Sequence, residues 1–169
     1  DNRKAAAATR NPAERDVQIS DRICELGWFG QKTERGFYLY PQGTRIGTPD
    51  PEVLTIIEAE RARKGITPRS FSAGDIMERY MAAMVNEACE VLCESVALKP
   101  SDIDVTFVCG YGFPRFRGGP MKYADGYGLS KMLDNIHTYK TEDPVFWKPS
   151  PLLVDLVAAG KTFDDLNKG

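Results

Sequence analysis

One long helical pattern, from about residue 73 to residue 97, constrains this chain more than any other feature. Ile76, Tyr80, Met84, Ala88 and Val91 recur at helical spacing and form one stripe. Met77, Met81, Val85, Leu92 and Val96 widen it. An apolar arc this broad predicts burial on more than one side. Ser72 and Asp75 supply an S-x-x-D start signal. Pro100 and Ser101 end the pattern and cap a shorter helix carrying Ile103, Val105, Phe107 and Val108.

The flanking segments follow the same helical logic. Residues 1–16 are polar and Ala-rich, a frayed helix end or a disordered lead. Val17, Ile19, Ile23, Cys24 and Leu26 predict a helix over 17–27, stopped by Gly27. A turn and a short extended piece at 37–40 come next. Residues 41–50 hold Pro41, Gly43, Gly47 and Pro49, which is linker chemistry. Asp50 then caps a helix with Pro51 at its first position, ended by Gly65. Pro120 opens a helix that runs toward Ile136, with Gly126 and Gly128 marking a bend or break. Ser150 caps a last helix over 151–159, stopped by Gly160. Convincing strands are few, so the expected class is all-α.

A short internal echo accompanies this pattern. Ile23 to Gly27 followed by Lys32-Thr33 is similar to Leu156 to Gly160 followed by Lys161-Thr162. Both are a helix end, a glycine and a Lys-Thr pair. The echo suggests two related units, the first present only as its tail.

Charge and composition exclude several function classes. Lys and Arg total 22 against 24 Asp and Glu, a formal charge of −2. That balance gives no bulk positive grip for nucleic acid. No apolar run approaches the roughly 18 residues of a membrane span. No signal peptide is visible at the start. The first methionine is Met77, so the chain is expected to be a piece of something longer.

Candidate chemistry is sparse. His137 is the only histidine and no CxxC pair occurs, so no metal site is expected. Cys24, Cys89, Cys93 and Cys109 are expected to be reduced thiols. Residues 110–121 hold four glycines and two prolines around aromatics and two arginines. Gly110-Tyr-Gly112-Phe-Pro-Arg115 fails as G-x-G-x-x-G, because Arg115 stands at the last glycine position. Structural turning is the first reading of these glycines. The functional reading is that Arg115 and Arg117 meet a carboxylate or phosphate beside the first turn of the following helix. Asp102/Asp104 fit helix capping, Asp164/Asp165 fall in a polar tail, and a buried Asn86 could hold a helix junction.

Three motifs resemble one family. Leu26-Gly-Trp-Phe-Gly-Gln-Lys-Thr-Glu-Arg-Gly-Phe-Tyr-Leu-Tyr40 resembles the signature closing the first C-terminal domain of 3-hydroxyacyl-CoA dehydrogenases. Met84-Val-Asn-Glu-Ala-Cys-Glu-Val-Leu92 resembles the long helix of the next copy, and Gly110 to Met121 its later turn-and-helix signature. The family's usual run is Lys-Thr-Gly-x-Gly-Phe-Tyr, and Glu34 replaces its first glycine, where a positive φ would be costly. The second copy points to multifunctional fatty-acid β-oxidation enzymes carrying an enoyl-CoA hydratase/isomerase domain upstream.

The resemblance implies a helical fold of the 6-phosphogluconate-dehydrogenase C-terminal type behind a Rossmann domain. It implies a full enzyme that oxidises 3-hydroxyacyl-CoA to 3-ketoacyl-CoA with NAD. The family's catalytic His–Glu pair belongs to the Rossmann part and its Asn to the first helical copy. Glu78-Arg79 stands where that copy carries Asn-Arg. No catalytic or cofactor-binding residue is therefore carried over, and the chain alone is expected to be inactive. Residues 1–40 are read as the tail of the first copy, 41–71 as a linker with one helix, and 72–169 as the second copy. Expected partners are the upstream Rossmann and hydratase domains and the acyl-CoA substrate, with oligomer formation open. The expected compartment is the bacterial cytoplasm, with the peroxisome as alternative, since Asn167-Lys168-Gly169 is not a Ser-Lys-Leu address. The rivals are a free-standing helical interaction module and an acyl-CoA or anion-binding module using Arg115 and Arg117.

Overall fold

A computed structural model describes residue 9, residues 16–41 and residues 44–168. Most of the polar lead over 1–16, and Gly43 of the linker, lie outside the described residues. The chain divides into two compact units, one over 15–70 and one built on 71–169.

The smaller unit begins with α1, Ile19–Glu25, which buries Ile23. Gly27 follows at φ 76°, and the Trp28 N–H reaches back to the Ile23 carbonyl at 3.1 Å. This left-handed stop is the one that a glycine after the last helical turn supplies. A 3₁₀ turn covers Gln31–Thr33, and Glu34 adopts φ 57°, the left-handed conformation that a glycine would take there at less cost. β1, Tyr38–Leu39, pairs antiparallel with β2, Thr48–Pro49, with Tyr38 opposite Pro49 and Leu39 opposite Thr48. The second strand lies within residues read as linker. α2, Pro51–Lys64, packs on α1. Its bounds follow the sequence signals: the Asp50 carboxylate accepts from the Glu52 N–H, and Gly65 closes it at φ 63°.

Arg35 fastens this unit. Its guanidinium stacks 3.6 Å from the Trp28 ring centroid and forks onto Asp50 at 2.7 and 3.1 Å. Asp50 is only 2% exposed. The arginine's hydrogen bonds hold the Asp50 carboxyl below its ordinary range. A second pair, Arg63 on Glu60, pulls Glu60 down to about 2, helped by the Gln18 N–H.

The described residues of the larger unit form α-helices joined by turns and loops: α3 Ala73–Cys93, α4 Pro100–Gly110, α5 Pro120–Tyr127, α6 Leu129–Lys140, α7 Pro151–Ala159 and α8 Phe163–Leu166. Ser72 and Asp75 close a reciprocal capping box at the start of α3. The helix stops four residues short of 97. Ser95 turns left-handed at φ 59°, and the Val96 N–H bonds the Val91 carbonyl at 3.0 Å. The expected break near Gly126 and Gly128 falls at Gly128, whose φ of 98° separates α5 from α6. α3 packs on α5, α6 and α7. Met81, Val85 and Cys89 of α3 meet Met121, Ile136 and Leu153 in one core.

Two expectations need correction. The broad arc of α3 is not buried on several sides within this unit. Ile76, Met77 and Tyr80 are each about half exposed. Asp164 and Asp165 do not lie in a polar tail. They belong to α8, whose Phe163 is fully buried and whose first N–H groups donate to Asp125 at 2.9 Å.

Candidate functional site

The exposed side of α3 forms one wall of an apolar groove of about 870 Å³. Tyr80, Ala83, Met84, Glu87 and Val91 line it along three helical turns. The facing wall comes from α4, through Ile103, Thr106 and Phe107, and from Tyr111 just after it. Val96, Ala97 and Leu98 of the turn joining these helices, with Phe146 and Trp147, complete it. Leu98 is 83% exposed, Tyr111 76% and Tyr80 58%. Single exposed apolar residues are ordinary, whereas a contiguous apolar groove is a candidate binding surface.

Asn86 fixes the floor of this groove. Its Nδ2 donates to the Lys148 carbonyl at 2.9 Å, and its Oδ1 accepts from the buried Ser150 N–H at 2.8 Å. That is the helix junction expected of a buried asparagine here. It holds the loop carrying Trp147 against α3, and Trp147 in turn packs on Tyr139 and Phe146. Glu78 and Arg79 lie nearby on α3. Glu78 accepts from the Tyr127 hydroxyl at 3.0 Å, and Arg79 forks onto Glu142 at 2.7 and 3.0 Å. Both residues are thus engaged within the unit.

The two arginines singled out from sequence sit in the 3₁₀ turn Arg115–Arg117. Arg117 leans over the rings of Phe116 and Tyr123, at 5.3 and 5.1 Å. Arg115 is exposed, and its guanidinium has no partner among the described residues. The first turn of the next helix already has an acceptor from the chain itself. Asp104, from α4, accepts from the Met121 N–H at 2.8 Å and the Lys122 N–H at 3.1 Å. A carboxylate of the chain itself therefore fills the N-terminus of α5. Burial pushes the Asp104 carboxyl up, against those two N–H bonds. Gly119 makes this approach feasible, since a Cβ there would meet the Asp104 carboxyl carbon at 2.5 Å. Asp102 caps its own helix as expected, through a bond from the Lys99 N–H at 3.0 Å.

The remaining candidates stand apart from the groove's chemistry. His137 is exposed in the last turn of α6. Cys89 is buried and its thiol is pushed up by burial, while Cys24, Cys93 and Cys109 are exposed free thiols. Among the described residues no three His, Cys, Asp or Glu side chains gather as a metal site requires. Sequence reasoning missed the groove, because periodicity reveals an apolar face and not whether the same chain covers it.

Comparison with known proteins gives this architecture a family. Residues 74–169 match the family described as 3-hydroxyacyl-CoA dehydrogenase, C-terminal domain. The zebrafish (Danio rerio) peroxisomal bifunctional enzyme is 44% identical over 145 residues, covering 84% of this chain and 20% of that protein. The human (Homo sapiens) peroxisomal bifunctional enzyme is 41% identical over 146 residues, again 84% and 20%. A cucumber (Cucumis sativus) glyoxysomal fatty acid β-oxidation multifunctional protein is 35% identical over 137 residues, 79% and 19%. The chain thus spans about a fifth of the length of these relatives. Their peroxisomal and glyoxysomal names overturn the expectation of a bacterial cytoplasm. That expectation leaned on taking Asn167-Lys168-Gly169 as the true terminus. With the family match extending over more than half of its residues, the chain belongs to the 3-hydroxyacyl-CoA dehydrogenase C-terminal domain family.

Proposed function

We propose that this chain is the C-terminal helical region of a peroxisomal multifunctional enzyme of fatty-acid β-oxidation. In that enzyme an upstream Rossmann domain holds NAD and oxidises 3-hydroxyacyl-CoA to 3-ketoacyl-CoA. An enoyl-CoA hydratase/isomerase domain on the same polypeptide supplies the hydroxyacyl substrate by adding water to an enoyl-CoA. The single observation that carries this reading is the family match over the helical unit. The names of the relatives, bifunctional and multifunctional, and their roughly fivefold greater length support the further domains.

The family implies NAD in the full enzyme, and the residues described here do not fit it. A dinucleotide site needs a strand, a glycine-rich turn and a helix within a parallel sheet. The sheet described is a single antiparallel pair of two-residue strands. The helical unit therefore contributes walls and support.

The repeat reading is supported by local geometry. Trp28 donates to Ile23 at 3.1 Å behind Gly27, and Lys161 donates to Leu156 at 2.9 Å behind Gly160. The same six-residue stop closes both helices at the echoing motifs. Residues 1–40 then read as the tail of a first helical copy, 41–71 as its connection, and 72–169 as the second copy. Arg115 and Arg117 read as contacts for the phosphates of acyl-CoA, Arg115 because its guanidinium is exposed and has no partner among the described residues.

Pure 169-residue chain, given 3-hydroxyacyl-CoA and NAD, is expected to form no NADH. The full-length polypeptide is expected to turn over, and to lose turnover when residues 71–169 are deleted. Turnover by the pure chain would refute the assignment.

A further inference from the structure

Building on that reading, we propose that the nucleotide end of coenzyme A docks at the Arg115–Arg117 turn, with its phosphates on the two arginines and its base in the hollow beside Arg117. This second hollow has a volume of about 340 Å³. It lies against the first half of α3, the end of α4 and the loop over 111–117. Small-molecule sites begin at roughly this size, about 300 Å³. Aromatic rings and sulfur dominate its walls, from Tyr80, Tyr111 and Tyr123 with Met77, Met81 and Met84. Rings and thioethers receive a flat heteroaromatic base by stacking and by sulfur–π contact. Tyrosine adds a hydroxyl, which serves the edge of a base as donor or acceptor.

The charge argues for phosphates. Arg117 is the ionised side chain that lines the hollow, and no Asp, Glu, Lys or His among the described residues does so. Its guanidinium is already placed, 5.1 Å from the Tyr123 ring centroid and 5.3 Å from that of Phe116. The turn that carries it is closed by the Arg117 N–H on the Pro114 carbonyl at 2.9 Å and the Gly118 N–H on the Arg115 carbonyl at 3.0 Å. Neither arginine has a carboxylate partner among the described residues, whereas Lys122, the next cation along the chain, is held by Asp164. Unpaired guanidiniums two residues apart match a ligand that carries more than one phosphate group beside a base. Coenzyme A bears a pyrophosphate and a 3′-phosphate on one adenosine. NAD bears the pyrophosphate without the 3′-phosphate, and an acyl chain answers neither arginine.

Calorimetric titration of the 169-residue chain tests the site. The probes are coenzyme A, dephospho-coenzyme A, NAD, pantetheine and inorganic pyrophosphate. Coenzyme A is expected to bind saturably, and dephospho-coenzyme A and NAD at least about threefold more weakly for want of the 3′-phosphate. Pantetheine, which lacks the nucleotide, is expected to bind at least about tenfold more weakly. Arg115→Ala together with Arg117→Ala should weaken coenzyme A at least about threefold. Met77→Trp fills the hollow from a half-exposed position. It should weaken coenzyme A at least about threefold and leave pyrophosphate affinity unchanged. No saturable binding of coenzyme A would overturn the proposal, and so would pantetheine binding as tightly as coenzyme A. Both results come from the unsubstituted chain and need no variant to fold. Unchanged affinity in the double arginine variant would overturn the phosphate contacts, and in Met77→Trp the seat of the base. Dehydrogenase turnover is measured on the full-length polypeptide alongside. Turnover there with no coenzyme A binding by the 169-residue chain defeats this proposal alone, whereas an inactive full-length protein defeats the functional reading.

Discussion

Replacing Asn86 with alanine removes both hydrogen bonds that tie α3 to the start of α7. The Ser150 N–H, buried and donating to Oδ1 at 2.8 Å, is left without an acceptor. An orphaned buried donor costs about 1–3 kcal/mol, and the lost bond from Nδ2 to the Lys148 carbonyl adds about 0.5–1.5. The expected loss is therefore about 2–4 kcal/mol. For a unit of this size that lowers the melting temperature by at least ~8 °C. Urea unfolding followed by Trp147 fluorescence reads the change directly, because Trp147 is buried one residue from Lys148. The midpoint should fall with the slope unchanged. Ser150→Ala is the internal control. The Ser150 Oγ is buried without a hydrogen-bond partner among the described residues, so removing it should be neutral or stabilising. Asn86→Asp keeps the acceptor and loses the donor while ionised. Burial raises such a carboxyl, so its stability should be greatest at low pH and fall as pH rises through the raised value. A loss below about 1 kcal/mol in Asn86→Ala would show that the junction is not held by this side chain.

Gly119→Ala should destabilise the larger unit by more than about 2 kcal/mol, since the new methyl collides with Asp104 and sits at φ 118°; a neutral result in urea unfolding would remove Asp104 as the cap of α5. Glu34→Gly should stabilise the smaller unit by about 0.5–1 kcal/mol by relieving a left-handed φ of 57°, measured as a raised Trp28 unfolding midpoint in a Trp147→Phe background. The same Trp28 signal should report acid sensitivity. Glu60 falls from an ordinary value of 4.5 to about 2 on folding, so the unfolded state binds more protons between these values. That stability is present above about pH 4.5 and is lost as pH falls toward 2, and Asp50 shifts in the same direction. A smaller unit equally stable at about pH 5 and about pH 2.5 would contradict both pairs. Coenzyme A titrated into the full-length enzyme should bind at least about threefold more weakly after Arg115→Ala and Arg117→Ala together, with unfolding midpoints unchanged; unaltered affinity would remove the arginines from the acyl-CoA site.

The parts of the fold visible in sequence are those set by local chemistry. Asp50-Pro51 and Gly65 bracket α2 because a cap, a missing N–H and a left-handed glycine act within one turn of their own helix. Ser72 and Asp75 mark the start of α3 for the same reason. What escapes is non-local. Asp104 looks like compensation for its own helix, and instead caps α5, seventeen residues ahead. α8 looks like a tail because its short polar run is redeemed only by Phe163 entering a core built from other helices. Asn86 can be suspected as a junction, but its partners at Lys148 and Ser150 lie more than sixty residues away.

The arc of α3 shows where such reading stops and what it still implies. The sequence sets Ile76, Tyr80, Met84 and Val91 beside Met81 and Val85, an apolar arc wider than one helical neighbour covers. Within the unit Met81, Val85 and Cys89 are buried against α5, α6 and α7, Met84 and Val91 are partly buried, and Ile76 and Tyr80 are half exposed. Each Å² of apolar surface left in water forgoes about 25 cal/mol. The mismatch between pattern and burial is therefore a signal in its own right. It marks the side of α3 that the described residues leave most open, at Ile76, Met77 and Tyr80.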